Sequence, residues 1–297
     1  MNYAPIIVFA FNRPDLLKSC VASLLANEEA AASDLYVFVD GPRPEKPSDK
    51  RQVNAVRNYI STITGFKSLH YQFAEQNQGL APSVINGVTS VINYFGRAIV
   101  VEDDLFVSDN FLAFMNAGLE KYRNNTDVFS ICGYSNRVKA PKDYAYDSYF
   151  CVRSSSWGWA TWKDRWDSVD WDLSDWQYHR RNARRFNRWG GSDCWRMLSY
   201  WHKGRVSSWA IRFGYSQFLQ NKVSLYPLVS KVRNDGFDGS GTNGQRWTRF
   251  KSDFDNSGNK SFRLPASIEI NRSLYKQVLS YNSISKRVFS RIMYHIV

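Results

Sequence analysis

Cysteine is scarce in this chain, and what there is lacks pattern. Cys20, Cys132, Cys151 and Cys194 are scattered over 297 residues with no C-x-x-C spacing. That argues against zinc or a disulfide framework and for plain reduced thiols. No run of eighteen apolar residues occurs, so nothing reads as a bilayer span. The opening Met1-Asn2-Tyr3-Ala4-Pro5 has no basic residue before its apolar run and no small-residue cleavage site. It does not read as a secretory signal, and a cytoplasmic location is the expectation. Neither G-x-G-x-x-G nor G-x-x-x-x-G-K-[ST] is present, which weakens dinucleotide and P-loop readings. A Pro, Ser and Gly-rich linker is absent too. The length therefore fits one elaborate α/β domain, or one with a large C-terminal extension.

Basic and aromatic residues, by contrast, are abundant. Lys and Arg number 39 against 27 Asp and Glu, for a net charge of +12, and 16% of the chain is aromatic, with eleven Trp. The charge suits nucleic acid, an anionic membrane surface or phosphorylated small substrates. Trp and Tyr stack on bases and sugar rings and also suit membrane interfaces, so the aromatics do not choose among these.

The first hundred residues alternate two patterns. Apolar runs at 5–11, 35–39, 69–74 and 98–101 read as strands, and the periodicity predicts helices over 15–25, from about 53 to 60, and after Asn77-Gln78-Gly79-Leu80-Ala81. Such alternation calls for right-handed crossovers and a mostly parallel sheet flanked by helices. The strands end in polar groups at one edge: Asn12-Arg13, Asp40-Gly41, Asn77 to Ala81, and Glu102-Asp103-Asp104. Ligands of open α/β sheets lie at that edge.

The last of these groups is the most informative. Three adjacent carboxylates raise one another's pKa and destabilise the fold unless a cation sits among them. Mg2+ or Mn2+ is the expected remedy, taking one or two oxygens from protein and the rest from phosphates and water. The competing reading is a solvated loop ahead of the helix that begins near residue 109.

Beyond this, residues 111–122 read as a helix and 128–133 as a strand, after which alternation stops. Residues 144–176 are crowded with aromatics. Within them, Trp157-Gly158-Trp159 suggests a bent, closely approached backbone presenting flat rings on a wall, with plain core as the alternative. Arg180, Arg184 and Arg188 would line one face if residues 180–188 were one helix, either solvated or meeting phosphates. A strand pair is expected at 223–226 and 229–232, and residues 234–243 form a Gly-rich polar loop. The tail carries Leu274, Val278, Tyr281, Val288, Ile292 and Ile296 at helical spacing, with Lys276, Lys286, Arg287 and Arg291 off that stripe. Such a helix can lie on an anionic leaflet or dock on its own domain.

In four places, each at a strand end, the sequence resembles the GT-A glycosyltransferases, which transfer sugar from nucleotide-sugars with a metal. These are Phe9-Ala10-Phe11-Asn12-Arg13-Pro14, Asp40-Gly41, Asn77-Gln78-Gly79-Leu80-Ala81 and Val101-Glu102-Asp103-Asp104. The last looks most like the N-acetylglucosaminyltransferase I group. Ser156 to Trp162 and Ser208 to Phe213 look like bacterial surface-polysaccharide transferases. The resemblance implies that Ala10, Phe11 and Arg13 border the nucleoside pocket with Asn77 and Gly79, and that Asp40 accepts from the base. It places Glu102 and Asp103 against ribose and donor sugar, with Asp104 on the metal and Asp103 a candidate catalytic carboxylate. Trp157, Gly158, Trp159 and Trp209 fall on the acceptor side. Where the eukaryotic group has a catalytic Asp, Ala210 and Ile211 stand here, and Asn243 stands where its last histidine would. The base would then be Asp193, or else Asp235 or Asp238.

The expectation is thus a UDP-sugar transferase acting with inversion. Residues 1–107 would hold the donor, 108–243 the acceptor, and 244–297 would form an extension with the basic helix. Its acceptor would be a glycan or lipid-linked glycan of bacterial surface polysaccharide, at an anionic membrane surface on the cytoplasmic side, with no nucleic-acid partner. The rivals are a nucleotidyltransferase and a non-catalytic nucleic-acid or polysaccharide-binding module, whose binding would fall steeply with salt and ignore metal.

Overall fold

The computed structural model describes residues 3–237 and 250–296. Ile6–Ala10 (β1) is buried throughout, as a continuous apolar run between two helical layers must be. Pro14–Leu25 (α1) follows, starting on a proline whose missing N–H costs nothing there. Asp34–Val39 (β2), Pro47–Ile60 (α2), Ser68–Phe73 (β3), Leu80–Phe95 (α3) and Arg97–Glu102 (β4) complete the alternating half. Its four strands are parallel, in the order β3-β2-β1-β4. Alternate side chains face opposite layers. Ile6 and Val8 pack with Leu17 and Val21 of α1, whereas Ile7 and Phe9 pack with Val84 and Val88 of α3.

Leu105–Val107 (β5), Phe111–Lys121 (α4) and Val128–Cys132 (β6) come next. The aromatic stretch then supplies two strands that the sequence pattern had not marked, Ser148–Cys151 (β7) and Trp159–Trp162 (β8). β8 runs antiparallel between β4 and β6 and joins the two halves into one eight-stranded sheet. Among the described residues the sheet is mixed, parallel except where β8 meets β4 and β6 and where β7 meets β9.

Lys163–Asp167 (α5), Trp176–Arg181 (α6), Ala183–Gly190 (α7), Cys194–His202 (α8) and Trp209–Leu219 (α9) form the helical part of the second half. The arginine run is not one helix. Buried Asn182 divides α6 from α7, its Nδ2 donating to Tyr215 Oη, so Arg180 and Arg184 belong to different helices. Val223–Pro227 (β9) enters the sheet between β6 and β7. The expected hairpin partner at 229–232 does not form. Instead Val232–Asn234 (β10) pairs antiparallel with β5 in a separate two-stranded ribbon. A short apolar run specifies a strand but not its neighbour.

The chain after residue 250 packs back on the first part. Lys231 pairs with buried Asp255, which also accepts from Asn110 Nδ2 at 3.1 Å, and Tyr122 Oη donates to the Pro265 carbonyl at 2.7 Å. The tail is two helices. Arg272–Tyr281 (α10) buries Leu274 and Val278 against Tyr149 and Tyr226, while Ile284–Ile296 (α11) leaves Ile284 and Val288 exposed. No described helix is long and apolar enough to cross a membrane.

Candidate active site

Because β1 and β4 are parallel neighbours with Phe9 opposite Glu102, the loops after them emerge side by side. The Phe11 main-chain N–H donates to Asp103 Oδ2 at 3.1 Å. Arg13 Nη2 reaches back to Asp103 Oδ1 at 2.7 Å and Asp104 Oδ2 at 3.1 Å. The acidic triplet is therefore not splayed into solvent. Asp103 is 3% exposed, and Asp104 is largely covered.

The charges do not balance. Burial, then Asp104 and Asp103, push the Glu102 carboxyl up to about 8 against the pull of Arg13. Burial lifts Asp103 to about 6 although Arg13 and the Phe11 N–H oppose it. Asp104 is raised by burial as well, with Asp235 adding to it. Among the described residues one guanidinium pairs with two of the three carboxylates, and a hard divalent cation is the chemical complement of the remainder. Among the described residues no three His, Cys, Asp or Glu are grouped as a metal cage. Asp104 fits the other pattern, in which one carboxylate contributes and phosphates and water complete the shell.

Asp40, Asn77 and Gly79 form a second group. Asp40 Oδ1 accepts from the main-chain N–H groups of Gly41 and Gln78, each at 2.8 Å. Its Oδ2 accepts from Asn77 Nδ2 at 3.0 Å and Gly79 N at 2.9 Å. These four bonds correct the expected role of Asp40 as acceptor from a base: the carboxylate ties the loop before α3 to the end of β2. Asp40 is tied to the end of β1 as well, its N–H donating to the Ala10 carbonyl at 3.0 Å.

Pattern reading missed several neighbours. The Arg43 guanidinium lies 5.1 Å from the Phe11 ring centroid, and Asp49 holds both Arg43 and Asn12. Their one sequence signal was a charged, Pro-rich loop at a strand end. Gly236 is the other omission. A Cβ there would stand 2.5 Å from Asp104 Oδ2, so only glycine lets this backbone cover the acidic group. Next to it, the Asp235 N–H donates to the Asp104 carbonyl at 2.8 Å. Asp238 and residues 239–243 lie outside the described residues.

From Gly236 the chain leads to a concavity. The Phe237 ring meets Trp157 edge-on at 5.6 Å, and Trp157 helps line a cavity of about 320 Å³ together with Trp209 and Asp193. Gly158 has the expected bent backbone, with φ +59, and a Cβ would lie 2.7 Å from Val232 Cγ2. Trp159 is not on the wall. It is 1% exposed and stacks between Trp166 and Trp209 in the core, because β8 is a central strand and its side chains point into packed layers. Nor is Asp193 available as a base. Arg153 Nη1 and Nη2 bind its two oxygens at 2.9 and 3.0 Å. Burial works against ionisation there, but the Arg153 charge and hydrogen bonds hold the carboxyl below its usual range. A carboxylate so engaged takes a proton poorly.

No family model matches the sequence. Over 52% of its length the chain is similar to S. aureus TarS, with 13% identity and a TM-score of 0.34, covering 26% of that chain. Over 55% it is similar to the mannosyltransferase PcManGT from Pyrobaculum calidifontis in complex with GDP-Man and Mn2+, with 16% identity and a TM-score of 0.35, covering 46% of that chain. This chain thus spans less than half the length of either structure, and likeness at these scores says nothing of the site.

Proposed function

We propose that this chain is a metal-dependent glycosyltransferase of the GT-A type, using a nucleotide-sugar, with UDP-sugar favoured. The observation that carries the reading is the acidic group at the carboxyl edge of β1 and β4, in which, among the described residues, Arg13 alone pairs with Asp103 and Asp104 and reaches Glu102 only through its charge. A divalent ion held by Asp104 would supply positive charge against a diphosphate. Asp103 fixes Arg13 and the Phe11 backbone, and Phe11 with Arg43 offers an aromatic and cationic surface to a nucleoside. Residues 1–107 hold the donor in this scheme, residues 108–243 face the acceptor, and residues 244–297 form an extension.

The acceptor hydroxyl attacks the anomeric carbon as the bond to the diphosphate breaks, inverting that centre. Asp235, beside Asp104 on the path to the cavity, takes the hydroxyl proton. Arg233 Nε and Nη2 engage both of its oxygens, as Arg153 engages those of Asp193, but this pair is the more exposed of the two, 51% and 29% against 28% and 11%, so solvent screens it more. The acceptor is a glycan, lipid-linked in our reading, of bacterial surface polysaccharide. Exposed Ile284 and Val288 beside Lys286 on α11 support peripheral attachment to an anionic membrane.

The test is thermal denaturation with UDP, with and without Mn2+. The reading expects stabilisation only when both are present, and none in Asp104→Ala. Equal stabilisation of the variant would sink it, and so would a ligand response that falls with salt and ignores metal.

A further inference from the structure

The cavity beyond Trp157 has a chemistry of its own. Among the described residues its only charged linings are Arg153 and Asp193, and these neutralise each other through two hydrogen bonds. Arg287 adds positive charge from behind, its Nη2 donating to Ser192 Oγ at 3.1 Å. The other polar linings are mainly hydroxyls and the two amides of Asn136 and Asn282. Ser208 Oγ accepts from Ile211 N at 3.4 Å, and Ser155 Oγ accepts from Trp157 N at 3.3 Å, so each hydroxyl has its proton left to donate. The Asp193 carboxylate also accepts from its own main-chain N–H, and of its four lone pairs one remains beyond that bond and the two from Arg153. Trp157 and Trp189 line it beside these donors and acceptors, as does Trp209, which is 4% exposed and stacks one face on Trp159.

We infer that this cavity binds an uncharged sugar ring of the acceptor, with Asp193 positioning its hydroxyls and Trp157 packing against its face. The inference rests on the transferase reading and deepens it. Hydroxyl-bearing rings have one apolar face and an equatorial belt of donors and acceptors, which matches indole walls and a paired carboxylate with a free lone pair. The volume, about 320 Å³, lies at the small end of small-molecule pockets, which run to about 1,000 Å³, so it suits a ring better than a lipid chain. Paired charge disfavours a phosphate, which would have to compete with Asp193 for Arg153. The place is right as well, since Phe237 and Gly236 connect the Trp157 wall to Asp104 within two residues.

The experiment is saturation-transfer NMR on the full chain with millimolar methyl glycosides of glucose, galactose and N-acetylglucosamine. At least one is expected to receive saturation at its ring protons. Trp157→Leu, which keeps apolar bulk but removes the flat face, and Asp193→Asn should each weaken that binding about tenfold. In both variants UDP with Mn2+ should still raise the melting temperature as in the wild type. The inference is overturned if no glycoside binds, if both variants bind like the wild type, or if glucuronate or glucose 1-phosphate binds more tightly than every neutral glycoside. Loss of the UDP and Mn2+ response in the wild type, with glycoside binding intact, would strike the donor site alone.

Discussion

Two arginine and carboxylate clusters lie on either side of the Gly236 and Phe237 segment, and they differ in balance. At the edge of β1 and β4, Arg13 faces Glu102, Asp103 and Asp104, and carboxyls are pushed upward. Beside the cavity, Arg153 faces a single carboxylate, Asp193, with Arg287 adding positive charge from behind, and the carboxyl is held down. A surplus of negative charge in an enclosed place calls for a cation that arrives with the substrate. A carboxylate already matched by arginine asks for no further cation and, in the proposed reading, serves as a fixed hydrogen-bonding surface. The difference teaches that similar residues can mark a reacting centre or a recognition wall, according to the count of charges around them.

The comparison breaks most sharply at Asp104. Asp104→Ala should lower donor-sugar turnover by about a hundredfold to a thousandfold, measured as nucleotide release with Mn2+. A loss below about tenfold would mean that the surplus charge has no part in catalysis. Next in size is the core between the clusters. Trp159→Ala should cost about 3–5 kcal/mol in urea unfolding, whereas Trp157→Leu, on the cavity wall, should cost about 1.5 kcal/mol or less. Equal losses would deny the distinction between buried core and wall.

Arg13→Met should then cost about 3 kcal/mol at pH 8, because Asp103 and Asp104 lose their cation partner among the described residues, and Mn2+ should recover part of it. The same substitution should tighten Mn2+ binding in the absence of nucleotide, read by electron paramagnetic resonance. Metal affinity unchanged by Arg13→Met would show that Arg13 does not occupy the cation's place.

The smallest effect is in pH. The folded values of Glu102 and Asp103, about 8 and about 6, lie above their ordinary range. The folded chain therefore binds more protons than the unfolded one, and stability should fall as pH rises from about 4 to about 8. Asp255 has the opposite sign. Lys231, Ser257 and Asn110 outweigh burial and hold its carboxyl at about 2. Its contribution is complete above the ordinary carboxyl range and is lost as pH falls toward 2. Urea unfolding across pH 2 to 9, with and without Mn2+, should show a maximum in mild acid whose alkaline slope flattens with metal. An unchanged slope would separate the raised carboxyls from any metal.

The alternating half was legible in advance because each of its signals is local. Apolar runs such as Ile6 to Ala10, and polar stops such as Asn12-Arg13, are contiguous in sequence, and parallel topology brings the stops to one edge. The aromatic half was not. Trp159 and Trp157 are two residues apart and of one type, yet one is core and the other wall. Composition cannot distinguish them, since the difference lies in which strands flank β8. Asp193 was misjudged for the same reason: its partner Arg153 is forty residues away.

What the residues determined unaided is the parallel αβ half, the acidic triplet at its edge and the need for a counter-charge. Each follows from near neighbours along the chain, through strand burial and like-charge repulsion. Tertiary structure alone decided that Arg13 is the resident counter-charge, that Asp40 is spent on its own loop, that Gly236 covers Asp104, and that Arg153 neutralises Asp193. Those pairings span long stretches of chain, and only packing brings such groups within hydrogen-bond reach.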